Sequence, residues 1–197
     1  MDSLLGTLTQ QLGGNAVQQL SSQLGTDPAS TQKAVSAALP LLLGALGRNA
    51  AQPEGAAALA NALQRDHDGS VLNDVTGFLA AGGNTQAGNG ILHHVLGEKQ
   101  GLIEQTLSQN TGLTASSTGQ LLAMLAPLVM GAVGQTQQQQ GLNAGGLANL
   151  LGGEQQQADS LLGGLATQLL DQNNDGSIVD DVMNIGSNLL GGLFGRK

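Results

Sequence analysis

Residues 171–181, DQNNDGSIVDD, set side-chain oxygens at alternate positions ahead of a glycine, the arrangement with which an EF-hand-type loop wraps a calcium ion. Such a loop draws ligands from its positions 1, 3 and 5, turns sharply on a glycine at 6 and offers a backbone carbonyl at 7. Asp171, Asn173, Asp175, Gly176 and Ser177 fill those places in order. The bidentate acid belongs at position 12, where Val182 stands; the available acids come earlier, at Asp180 and Asp181. A shell of Asp171, Asn173, Asp175 and Ser177 closed by Asp181 would bind weakly, with a Kd of ~10⁻⁴–10⁻³ M. The other reading needs no ion. Ser177 or Asp175 caps the helix that follows, and Asp180 and Asp181 lie in its first turn, where the helix dipole favours negative charge.

The chain carries its own comparison for this stretch. RDHDGSVLNDV (65–75) repeats the Asp-Gly-Ser and sets Asn73-Asp74-Val75 where the later stretch has Asp180-Asp181-Val182, yet Gln64 stands at the position equivalent to Asp171. The capping chemistry is common to both stretches, and the calcium pattern belongs only to the second.

Little else in the chain suggests catalysis. The histidines are His67, His93 and His94; neighbours such as His93 and His94 point in different directions on a helix and do not chelate as an i,i+4 pair does. His94 is expected to pack near the helix end at Gly97, and His67 to sit in an exposed turn. There is no G-x-S-x-G elbow, Walker A loop or dinucleotide fingerprint in a fitting context. Glu98, Glu104 and Glu154 read as isolated carboxylates on a solvated face. The expectation is a protein without enzyme activity, with an unrecognised hydrolase as a remote alternative, and without a cofactor unless calcium binds.

The elements that would hold these residues follow from an internal repeat. A shift of 87 positions lays Leu20-Ser21 on Leu107-Ser108, Gly25 on Gly112, Ser30-Thr31 on Ser117-Thr118, Pro40-Leu41 on Pro127-Leu128, and Gly47 on Gly134. Each copy reads helix, turn, helix. Apolar residues at Val17, Leu20 and Leu24 share a face, Gly25 ends the helix, and Asp27-Pro28 starts the next; Gly112 and Thr114 do the same in the second copy. Pro40 and Pro127 each fall inside a long apolar helix, where a kink or restart is expected. TQQQQG (136–141) and GGEQQQ (152–157) read as exposed linkers, and GGNTQAGNG (82–90) as a further loop.

Composition agrees with an all-α chain. Its 197 residues include 31 Gly, two Phe and neither Trp nor Tyr, so the core must be built from Leu, Ala, Val, Ile and Met. The absence of Cys removes disulfides and thiolate metal sites. A net charge of −8 argues against nucleic acid as a partner. Leu4, Leu5, Leu8 and Leu12 form one apolar face at the start, and Ile185, Leu189, Leu190, Leu193 and Phe194 another before Arg196-Lys197. These faces point to a protein partner or to self-association, with membrane contact through the C-terminal segment as the lesser reading. The start lacks a basic, apolar secretory leader and no apolar run reaches roughly 18 residues, so a cytoplasmic location is expected.

The motifs RDHDGSVLNDV, NGILHHVLGEKQGLIEQTLSQNTGLT (89–114) and LLAMLAPLVMGAVG (121–134) occur in series, and with them the chain resembles the YidB-like family of bacterial proteins over roughly residues 15–137. The resemblance implies a compact array of α-helices and supplies no activity. The expected organisation is a first helical repeat unit over 1–97, a second helix-turn-helix unit over 98–135, a Gln/Gly-rich insert or linker over 136–160, and an acidic turn with an amphipathic helix over 161–197. The expected role is a non-enzymatic structural or interaction protein of the bacterial cytoplasm, able to self-associate. The alternative is a weak calcium-responsive helical module using 171–181.

Overall fold

A computed structural model describes residues 3–156, all of which fall within one compact unit, Met1–Ala158. The described residues are all-α and contain no strand. In chain order they form α1 (Leu4–Gln11), α2 (Asn15–Leu24), α3 (Pro28–Ala50), α4 (Pro53–Asp66), α5 (Val75–Ala80), α6 (Thr85–Leu96), α7 (Gln100–Thr111) and α8 (Ala115–Gln140). Short 3₁₀ turns at Ser70–Asp74 and Gly97–Lys99 lead into α5 and α7, and the chain is helical again over 144–156.

The repeat is visible as structure. α3 and α8 start 87 positions apart, at Pro28 and Ala115. The helices before them end on Gly25 and Gly112, at φ of 62° and 81°, a left-handed turn that glycine adopts without steric cost. Asp27 Oδ1 accepts from the Ser30 amide at 2.9 Å, and Thr114 Oγ1 accepts from the Ser117 amide at 3.1 Å. One turn in, Thr31 and Thr118 each donate a hydroxyl hydrogen back to the Asp27 and Thr114 carbonyls, both at 2.9 Å. Identical geometry is thus reached with an acid in one copy and a hydroxyl in the other.

The two long helices form the centre, and each packs on elements of the other copy. α3 meets α7, while α8 meets α1, α2 and α4. One continuous core of Leu, Ala, Val and Met results, running from Leu4 to Leu151. Two glycines show how closely the copies fit. A Cβ at Gly47 on α3 would come 2.8 Å from the Leu151 carbonyl, and a Cβ at Gly134, its repeat equivalent on α8, would overlap the His67 carbonyl at the end of α4. Each long helix therefore uses the same position to seat the other copy's following helix.

Pro40 and Pro127 are buried, and neither restarts its helix: α3 and α8 run through them. At Pro127 the missing N–H deprives the Ala123 carbonyl of its usual donor four residues on. α6 crosses at that point, and the residue it brings there is Gly88, where any Cβ would collide with the Ala123 carbonyl. The carbonyl left without its helical donor by Pro127 thus lies at the close crossing of α6 over α8.

Three further expectations are corrected. Residues 136–140 form the last turn of α8, and 152–156 are helical. Glutamine is a good helix former, and Gln137, 3% exposed, donates to the Leu142 carbonyl at 3.2 Å to close the helix end. In GGNTQAGNG only 82–84 form a turn, because Asn84 Oδ1 accepts from the Ala87 amide at 3.1 Å and starts α6. Glu154 is not on a solvated face. It is 8% exposed, and its carboxylate accepts from the Leu4 amide at 2.9 Å and the Leu5 amide at 3.4 Å, at the start of α1. α8 is long and apolar enough to cross a membrane by length and composition, and 83% of its most apolar window is buried among the other helices.

Candidate functional site

The chain turns by 120° between α3 and α4, which sends α4 back beside the bundle. Both α4 and α6 rest on α3 and α8, and between them a cleft of about 630 Å³ stays open, within the range of ligand sites. Buried Leu46 and Met130 form its floor. On one side α4 presents Gly55, Ala58, Leu59 and Ala62; on the other α6 presents Ala87, Gly90, Ile91 and Val95. The α4 set follows i, i+3, i+4, i+7 and the α6 set i, i+3, i+4, i+8, each along one helix face, and each wall is about 12–16 Å long. α4 and α6 are held in place by α3 and α8, and the small side chains, three of the four on α4 and two of the four on α6, leave the space between them unfilled.

Gly90 is informative here. It lies inside α6, is exposed, and a Cβ there would meet nothing within 4 Å. Glycine inside a helix costs about 1 kcal/mol relative to alanine. Gly88 meets that cost at a close crossing over Ala123, whereas nothing packs against Gly90, and its lack of a side chain adds to the open space of the cleft.

The rim is polar. Glu54, Arg65, Asp66, His67 and His94 line its edge, and the cleft continues at Asp66, His67 and Ala87 into a hollow of about 150 Å³ that includes Asp68 and Ser70. Arg65 donates from Nε and Nη2 to one Asp66 oxygen, at 2.9 and 2.8 Å. This bond holds the Asp66 carboxyl below its ordinary range and raises the guanidinium. Asp68 is likewise held down by hydrogen bonds from Ser70, side chain before backbone, with the Ser70 amide 2.9 Å from Asp68 Oδ1. His67 is half-buried at the end of α4, contrary to an exposed turn, and burial pushes its imidazole below 6.5 despite the opposing charge of Asp66. His94 lies on the cleft edge near Gly97, exposed, with its ring edge-on to His93 at 6.1 Å. Among the described residues, neither His67 nor His94 is hydrogen-bonded to a hydroxyl or carboxylate that it could activate.

The calcium pattern is placed only in part. Asp171, Asn173, Asp175, Ser177 and Asp181 lie outside the described residues, as do Asp180 and the C-terminal apolar face. The related turn at 65–75 is described, and it caps. Asp68, equivalent to Asp175, accepts from the Ser70 amide; Gly69 turns at φ 92°; Asp74 Oδ1 accepts from the Gly77 amide at 2.8 Å to start α5. No group of three His, Asp or Glu that could hold a metal occurs among the described residues. Sequence reasoning passed over the cleft, because alanines and glycines carry no chemical signal; the runs of small residues along one face of α4 and of α6 are the signal that could have found it.

A family model described as a bacterial protein of unknown function, DUF937, matches residues 6–137. YidB belongs to the same family, as the serial motifs imply. No curated protein and no solved structure matches the chain.

Proposed function

The chain belongs to this bacterial family of unknown function, and from that premise we propose that it is a non-enzymatic interaction protein that takes an apolar element of a partner into the cleft between α4 and α6. One observation carries the reading: a helix-length apolar cleft is held open by small residues, among them a mid-helix glycine with no packing role. The lining residues run from Leu46 to Met130 and so fall wholly within the span that matches the family. The direct test uses Nile red, whose emission rises in an apolar site. Wild type is expected to enhance it, and Gly90→Leu, which fills the cleft from a position with free space, is expected to lose most of the enhancement while melting no lower. Equal enhancement in both would end the proposal.

A further inference from the structure

Resting on the reading of the cleft as an interaction site, we infer that its partner is a cationic amphipathic helix, with leucine-type residues on one face and lysine or arginine flanking it. The shape argues for a helix. Two helical walls of about 12–16 Å above an apolar floor match the groove that receives i, i+3, i+4, i+7 anchors from about three turns of helix.

Charge selects which helix. Three carboxylates, Glu54, Asp66 and Asp68, stand along the cleft and its extension against one guanidinium, Arg65, which is already paired with Asp66. Glu54 makes no ion pair within the described residues, and at the opposite end of α4 Asp68 keeps its charge through the Ser70 bonds. A bound helix therefore finds an apolar seat with negative charge at both ends. The same argument disfavours a second copy of this chain, whose net charge of −8 would bring like charge to the rim.

The test uses two labelled helical peptides of about 14 residues, with leucines at i, i+3, i+4 and i+7 and the remaining positions either lysine or glutamate. Anisotropy with the full chain is expected to show the lysine peptide binding roughly tenfold more tightly than the glutamate peptide, with the gap shrinking in high salt. Glu54→Gln should narrow the gap, and Gly90→Leu should weaken the lysine peptide about tenfold without lowering the melting temperature. If both peptides bind alike and Gly90→Leu weakens both, the cleft is an interaction site and the cationic assignment is overturned. If light scattering shows a dimer that Gly90→Leu dissolves, the occupant is a second copy and the assignment is again overturned. If Gly90→Leu changes neither peptide binding nor association, the cleft itself is not the site, and both proposals fall.

Discussion

Glu154 accepts a hydrogen bond from the Leu4 amide at 2.9 Å, so a carboxylate from the far end of the described chain caps its first helix. Ser3 adds its own cap at the Gly6 amide, at 3.0 Å. Together they satisfy backbone donors that a helix leaves open at its start, and Glu154 places its carboxylate where the helix dipole favours negative charge. Glu154→Ala removes a nearly buried charged acceptor and is expected to cost about 1.5–3 kcal/mol in urea denaturation. Ser3→Ala, at the exposed side of the same helix start, is expected to cost about 1 kcal/mol or less.

Gly88 and Gly90 share α6 and should respond oppositely to alanine. Gly88→Ala drives a methyl group into the Ala123 carbonyl and is expected to destabilise by about 1–3 kcal/mol. Gly90→Ala enters open space and is expected to stabilise by about 0.5–1 kcal/mol through helix propensity alone. A thermal melt of the two variants beside wild type checks both signs.

The Asp27 cap sets an acid limit. The Ser30 amide, then its hydroxyl, hold the Asp27 carboxyl below 3.8 in the folded chain. A depressed carboxyl contributes stability that is complete above its unfolded pKa and is lost as pH falls through the folded value. Asn caps as well as Asp and does not titrate. Asp27→Asn is therefore expected to flatten the loss of stability below about pH 4, measured as melting temperature against pH.

His67 works in a higher window. Burial lowers its folded pKa beneath 6.5, so the unfolded chain takes up the proton first, and stability falls as pH drops from about 6.5 towards the folded value. His67→Gln should remove that decline and leave the acid-range loss at Asp27 in place. An unchanged slope between about pH 6.5 and 5 would contradict the assignment.

Much of this fold can be read from residue order, because its signals are local. Gly25 and Gly112 end helices, Asp27 and Thr114 start them, and the 87-residue shift aligns both sets before any packing is known. Tertiary choices are less legible. Glu154 resembles any surface acid until α1 is brought to it, and glutamines after Gly134 read as slack until Gln137 is found inside the helix end. The prolines mislead for a related reason: their helix penalty is local, while the helices of both copies run on through them inside the packed core. The cleft is hardest, since it consists of what is absent, side-chain volume on two facing helices.

The paired contacts of Gly47 and Gly134 bear on how such a chain could fold. Each copy alone would leave its long helix without the helix that the other copy lays across it. A chain of this kind therefore needs both copies at once, each covering the long helix of the other. The cleft between α4 and α6 shares that dependence, because its floor joins Leu46 of one long helix to Met130 of the other and exists only once the two copies are folded together.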